Sequence, residues 1–150
     1  MAGYSNQKVF ILYEDEHLLV VKKPFGMESQ RGKSFAMDQE SLLRGYLSSK
    51  TKTDNPYLAV VHRLDRPVAG VMVYAKTKKA AADLSAQLQT ENFSKKYEAV
   101  VSGIVPACEG RLEDYLTADK RTGTTSVSSK ADPLAKKAVL TWKEIAREEV

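Results

Sequence analysis

The stretch AVVHRLDRPVAGVMVYAK, residues 59–76, decides the fold. Two apolar runs, 59–61 and 71–75, flank a short segment that is rich in ionisable side chains. Apolar runs of this length beside Pro and Gly are typical of buried strands. The segment between them is therefore predicted to connect two strands of a sheet, with the lone carboxylate of Asp65 between Arg63 and Arg66.

The rest of the chain adds strands and two helices around this connection. Strands are predicted at 9–13, 17–21, 95–102 and 138–145, helices at 38–49 and 78–88, and a short strand with loops at 110–130. Thr77 is a predicted N-cap for the second helix. The predicted order, with strands first and two helices dispersed among them, indicates an α+β fold. We expect a mixed, largely antiparallel sheet flanked by helices. No internal repeat or linker is visible, so residues 1–150 are predicted to form one domain.

Composition excludes several classes of protein. No run approaches the roughly 18 apolar residues of a membrane span, and the N-terminus lacks the apolar core of a secretory leader. The single cysteine, Cys108, excludes an internal disulfide framework. With one Cys and two His, a zinc site would need unusual ligands. We therefore expect a cytoplasmic, metal-free protein.

The positive charge is concentrated around the quoted loop. Of 23 Lys and Arg and 19 Asp and Glu, seven basic and three acidic residues lie within 62–97, which leaves 16 of each elsewhere. The whole net charge of +4 therefore belongs to this segment. Such an excess favours a polyanionic partner, although a solvated basic face is an equally ordinary interpretation.

Asp65 admits two interpretations. An arginine within about 4–6 Å would lower an aspartate pKa by roughly 1–3 units, and an ionised carboxylate can act as a nucleophile or base. Guanidinium groups beside it can bind phosphate or stack on a nucleic-acid base. Alternatively, the charges form a salt bridge that merely orders the loop. His62 is likewise either a catalytic group or hydrogen-bonded scaffolding.

Five ordered stretches resemble one family. HRLD at 62–65, followed by Gly70 and a strand ending at Lys76, is similar to the signature loop of RluA-type pseudouridine synthases. The opening segment 11–27, with its Lys-Pro-x-Gly turn, resembles the same family, and so do 95–103, 114–127 and 135–145. HRLD alone would be a weak signal, but the ordered series covers nearly the whole chain.

The resemblance implies a reaction and a set of roles. Uridine in ribosomal or transfer RNA is converted to its C5-glycosyl isomer without metal or cofactor, and Asp65 is the catalytic carboxylate. The target uridine is flipped out of its stem, Arg63 fills the vacated space and Tyr97 stacks on the uracil. Further contacts with RNA are expected from a basic set: His62, Arg66, Lys76, Lys95 and Lys96.

Two departures from the family pattern qualify these expectations. Pro67-Val68-Ala69 replaces a Thr or Ser pair after the aspartate. A later motif of the Thr-Gly-Arg-x-His-Gln-Ile-Arg type, whose basic residue pairs with the aspartate, has no match in 141–150. We therefore expect the N-terminal portion of a catalytic domain with weak or no turnover, and an exposed sheet edge that promotes self-association.

Two other functions stay open at this point. A degenerate homologue or RNA-binding fragment would use the same arginines without chemistry. A carboxylate-dependent hydrolase of small substrates would show no salt-dependent affinity for RNA.

Overall fold

The computed structural model describes residues 9–32, 36–90, 93–105, 107–119 and 121–148. The chain divides into two compact units, Met1–Lys96 and Tyr97–Val150. The first contains β1 (Phe10–Glu14), β2 (Leu18–Lys23), α1 (Gln39–Thr51), β3 (Ala59–Val60), β4 (Gly70–Ala75) and α2 (Lys78–Gln87); the second contains β5 (Glu109–Asp119), β6 (Thr124–Ser128) and β7 (Lys136–Lys143). The α+β class is confirmed. One domain over 1–150 stays a prediction, because two groups of contacts can belong to a single domain.

The first unit is built on a four-stranded antiparallel sheet in the order β1-β2-β4-β3. Strand β2 pairs with β4 from Leu18 opposite Ala75 to Lys23 opposite Gly70. Because residues opposite one another share a face, Leu19 and Tyr74 lie on the same side of the sheet. The connection predicted between 59–61 and 71–75 is thus confirmed, with β3 and β4 as neighbours.

One face of this sheet carries the core. Leu43 and Leu47, one turn apart on α1, pack with the buried side chains of β2 and β4. The whole cluster consists of Leu19, Val21, Leu43, Leu47, Leu58, Met72 and Tyr74. Full burial of each Leu side chain contributes about 1.5–3 kcal/mol. The core therefore fixes β2 against β4, and with them the loops that leave these two strands.

Both predicted helices are confirmed, together with the predicted cap. The Asp38 carboxylate accepts a hydrogen bond from the Ser41 backbone N–H and starts α1. The Thr77 hydroxyl accepts one from the Ala80 N–H at 3.2 Å and starts α2. Each cap satisfies a backbone donor that the first helical turn leaves without a partner.

The second unit is a three-stranded antiparallel sheet in the order β6-β5-β7. The sequence predicted only a short strand and loops at 110–130, whereas β5 and β6 form a hairpin. The predicted strand at 95–102 is wrong: within 93–105 no residue is in a strand, and residues 94–104 are exposed. Alternating side chains favour a strand only where a neighbour pairs with its backbone, and none of the described strands does so here.

Candidate active site

Two loops meet at one edge of the first sheet. Strand β2 ends at Lys23 and β4 begins at Gly70, and these two residues are paired. Because the strands are antiparallel, the segment after β2 (24–29) and the segment before β4 (61–69) leave the sheet at the same edge. The Lys-Pro-x-Gly turn and the HRLD loop are therefore neighbours in space although about forty residues separate them.

The first connection between the two loops joins Gly26 to Arg66. The Gly26 N–H donates to the Arg66 carbonyl at 2.9 Å, and the Arg66 Nε donates to the Gly26 carbonyl at 3.0 Å. Gly26 has a φ of +80°, a backbone conformation that side chains disfavour. This explains the glycine of the Lys-Pro-x-Gly turn, which lets the turn close on the loop.

Lys23 strengthens this connection from inside the protein. It is fully buried, and its ammonium donates to the carbonyls of Met27 at 2.6 Å, Pro24 at 3.2 Å and Arg66 at 3.5 Å. Burial lowers the pKa of Lys23, and the charge of Asp65 opposes this shift. The buried Lys23 ammonium therefore lies close enough to Asp65 for their charges to interact, and the resemblance had not given Lys23 a role.

The second connection joins Ser29 to Leu64. The Ser29 hydroxyl donates to the Leu64 carbonyl at 2.5 Å and accepts from the Leu64 N–H at 3.0 Å. The Ser29 carbonyl in turn accepts from the Tyr74 hydroxyl at 3.1 Å. Burial raises the pKa of Tyr74, so its phenol stays protonated and able to donate. The loop is thus fastened to the core on the other side of Asp65.

Asp65 itself is exposed between these two fixed neighbours. Its backbone carbonyl accepts from the Val68 N–H at 3.0 Å and closes a turn. The described residues include no ion pair between the Asp65 carboxylate and either flanking arginine. The salt bridge that the sequence left open as one interpretation of these charges is therefore not observed among them, since the Arg66 guanidinium bonds the Gly26 carbonyl and Arg63 is exposed.

His62 acts as scaffolding in this geometry. Its Nε2 accepts the Val73 backbone N–H at 3.0 Å, which ties the start of the loop to β4. Burial, and then the charge of Lys95, lowers the pKa of His62. Both effects favour the neutral imidazole that can accept this bond. The hydrogen-bonded role is therefore the better supported of the two interpretations that the sequence left open for His62. Nδ1 would be the ring nitrogen left for a contact with RNA.

The predicted basic contacts divide into two groups. The Lys76 ammonium is paired with Glu14 at 2.8 Å and also donates to the Asp15 carbonyl. Burial alone would raise the pKa of Glu14, but hydrogen bonds from Lys76, Lys50 and Tyr46 outweigh it and hold the pKa at about 2. This ion pair argues against a role for Lys76 at phosphate. Lys95 and Lys96, by contrast, are exposed and belong to none of the ion pairs of the described residues.

Tyr97 begins the second unit, and 63% of its surface is exposed. It is outside any strand, because the strand predicted at 95–102 is not formed. Its stacking on a uracil stays a prediction.

Comparison with known proteins decides the family. The family model described as RNA pseudouridylate synthase matches residues 17–149. The chain belongs to this family. The match includes both loops of the site, so Asp65 and the Lys-Pro-x-Gly turn lie within the pseudouridylate synthase region.

Curated pseudouridine synthases match the chain over part of their length. It is 41% identical over 96 residues to ribosomal large subunit pseudouridine synthase D of Pseudomonas aeruginosa, covering 63% of this chain and 29% of that protein. It is 31% identical over 140 residues to tRNA pseudouridine synthase C of Yersinia pestis, covering 93% and 52% respectively. It is 38% identical over 109 residues to the dual-specificity RNA pseudouridine synthase RluA of Vibrio vulnificus, covering 73% of this chain and 41% of that protein. The RluA-type resemblance is confirmed, and the chain spans about half or less of these relatives.

A solved pseudouridylate synthase structure has the same fold. Human RNA pseudouridylate synthase domain containing 4 superposes with a TM-score of 0.66 at 24% identity, over 87% of this chain and 51% of that one. At this identity the likeness shows the fold alone.

Two negative findings concern the described part of the chain only. No helix there has the length and apolarity to cross a membrane. Nor do three or more His, Cys, Asp or Glu side chains come together there in a way that could hold a metal ion.

Proposed function

We propose that the protein containing this chain isomerises uridine to pseudouridine in structured RNA, with Asp65 as the reacting carboxylate. The observation that carries the proposal is the placement of an exposed aspartate between two neighbours, Leu64 and Arg66, whose backbones are hydrogen-bonded to the turn after β2. A mobile surface aspartate would need no such support. Family membership supplies the reaction, and the loop geometry supports the residue.

The proposed chemistry needs no redox partner. The bond from uracil N1 to ribose C1′ breaks while the Asp65 carboxylate either attacks C1′ or takes a ribose proton to leave a glycal. The detached base rotates, C5 bonds to C1′, the C5 proton is lost and N1 gains a proton. Atoms and electrons balance within the nucleotide, because the carboxylate is regenerated. Both routes require the ionised carboxylate.

Access to C1′ requires that the uridine leave its stem. Flipping a nucleotide costs a few kcal/mol of stacking and pairing. Arg63 is exposed beside Asp65 in the chain, and its planar cation suits the space that a flipped base vacates. Tyr97 is proposed to stack on the extruded uracil.

The RNA is proposed to be ribosomal or transfer RNA, the classes named by the relatives. The test incubates the protein with transcripts of both classes and quantifies pseudouridine by chromatography of the digested nucleosides. Pseudouridine in one class identifies the substrate. Its absence from both would contradict the proposal. A cytoplasmic location fits the single cysteine and such substrates.

Lys95 and Lys96 are predicted to carry part of the salt dependence of RNA binding. Each phosphate contact steepens the fall of log affinity with log salt by about 0.7–0.9. Replacement of both lysines by Gln should therefore reduce this slope by about 1.4–1.8, as measured by fluorescence anisotropy over a salt series. Lys137→Gln is the matched control, because Lys137 is paired with Glu113 at 2.7 Å. An unchanged slope in the double variant would rule out these contacts.

Self-association is proposed through the second unit. Leu112 and Leu140 are opposite one another in β5 and β7, and each is about half exposed (53% and 52%). Trp142 shares their face two residues further along. None of the described side chains in this unit is buried. Such an apolar face favours contact with a second copy of the chain.

We predict that sedimentation velocity shows concentration-dependent association of the 150-residue chain. Leu112→Lys with Leu140→Lys should shift it to the monomer by charging the apolar face. Thr141→Lys, exposed on the opposite face of the same strand β7, provides a control for the added charge. A stable monomer at all concentrations would show that this face is solvated.

A further inference from the structure

Ser29 is a buried serine whose hydroxyl satisfies both backbone polar groups of one loop residue. Only 5% of its surface is exposed. A hydroxyl has one proton to donate and two lone pairs that accept. At Ser29 the proton goes to the Leu64 carbonyl at 2.5 Å, and a lone pair receives the Leu64 N–H at 3.0 Å. One side chain therefore replaces the strand partner that Leu64 would need if it lay in a sheet.

We propose that Ser29 is a positioning residue for the reaction: it fixes the peptide on the N-terminal side of Asp65 and so sets where the carboxylate stands. The inference rests on the proposed function of Asp65. The matching support on the C-terminal side is the pair of hydrogen bonds between Gly26 and Arg66. With Leu64 and Arg66 both held, the remaining freedom near the carboxylate is that of Asp65 itself.

Ser29 is in turn held by the core. Its carbonyl accepts from the hydroxyl of Tyr74, which is fully buried in β4. The Leu64 side chain also lies close to Gly70, where an added Cβ would be only 3.1 Å from the Leu64 Cδ1. The line of support therefore runs from Tyr74 through Ser29 and Leu64 to Asp65. Each member is a described residue of the first unit.

A hydroxyl is the required group at this position. Alanine would leave two partly buried backbone groups of Leu64 without the Ser29 hydroxyl, and the loop would have to move to find other partners. Displacement of a reacting group by about 1 Å costs on the order of 100-fold in rate. Because Ser29 is buried, it does not contact RNA directly. Its loss should therefore reduce the rate of the chemical step and leave RNA affinity unchanged.

The experiment compares Ser29→Ala and Ser29→Thr with the wild type. Single-turnover release of the uracil C5 proton at saturating RNA should fall about 10- to 100-fold in Ser29→Ala, with the dissociation constant for RNA unchanged. Ser29→Thr keeps the hydroxyl and should recover most of the rate. Ser49→Ala is the matched control, because the Ser49 hydroxyl bonds only carbonyls of its own helix, Gly45 and Tyr46. A normal rate in Ser29→Ala, or a loss that appears only in affinity, would overturn the proposal.

A second measurement separates this inference from the proposed function. Hydrogen exchange of the Leu64 amide reports its bond to Ser29 without any need for activity. Exchange should be faster in Ser29→Ala and slow again in Ser29→Thr. Faster exchange together with no proton release by the wild type would leave the loop support intact and contradict the isomerase. Unchanged exchange in a folded Ser29→Ala variant would overturn the role of Ser29 whatever the activity.

Discussion

Asp65→Asn is expected to abolish proton release from uracil C5, with a loss on the order of 1,000-fold or more, as for removal of a catalytic nucleophile. The amide has nearly the shape of the carboxylate but neither its charge nor its basicity. Affinity for RNA should persist or increase slightly, because an anion beside the phosphates has been removed. Activity is measured by single-turnover assay, and affinity by fluorescence anisotropy at the same salt concentration.

The matched control is Asp83→Asn, which removes an exposed carboxylate from α2 in the same unit. It should change neither activity nor affinity. This pair also separates the isomerase from an RNA-binding module. Affinity lost together with activity in Asp65→Asn would indicate that the carboxylate supports the loop instead of reacting.

The second large effect is expected at Tyr74, the largest fully buried side chain of the described residues. Truncation of a buried aromatic residue to Ala costs about 3–5 kcal/mol, a large share of the 5–15 kcal/mol typical of a folded protein. Tyr74→Ala should therefore reduce the free energy of unfolding by about this amount. Urea denaturation followed by far-ultraviolet circular dichroism is suitable, because both helices belong to the unit that contains Tyr74.

Two further variants test the cause of this loss. Tyr74→Phe keeps the ring and removes the hydroxyl with its bonds to the Ser29 carbonyl and the Met72 sulfur, so it should cost about 1–3 kcal/mol. Tyr57→Ala removes an exposed tyrosine and should change stability by about 0.5 kcal/mol or less. Equal losses in Tyr57→Ala and Tyr74→Ala would contradict the assignment of the core to this sheet face.

The first unit was predictable because its signals are local. Apolar runs beside Pro and Gly gave the strands on both sides of Asp65, and Thr77 marked the start of α2. The prediction of a strand at 95–102 was wrong because alternating side chains favour a strand only where a neighbouring strand pairs with its backbone. The sequence did not predict the β5–β6 hairpin. Its Thr- and Ser-rich strands show little apolar alternation, and the pairing between the two strands stabilises them.

The site was predictable in its centre but not in its surroundings. HRLD located Asp65, and sequence adjacency left Arg63 and Arg66 as possible partners, whereas the Arg66 guanidinium bonds the Gly26 carbonyl. The nearby cation is Lys23, and the loop support comes from Ser29, both on a segment about forty residues earlier in the chain. The Lys-Pro-x-Gly turn was the sequence feature from which a role for Lys23 could have been predicted, because a buried lysine needs several carbonyl partners.

The most direct test of the account is single-turnover tritium release from RNA labelled at uracil C5, with the 150-residue chain in excess and Asp65→Asn in parallel. Excess protein makes even the expected weak turnover measurable. The account predicts slow release by the wild type and only the buffer background with Asp65→Asn. Equal release by both proteins would contradict the claim that the supported Asp65 carboxylate performs the isomerisation, and so would background release by both if the longer protein that contains this chain also gives only background.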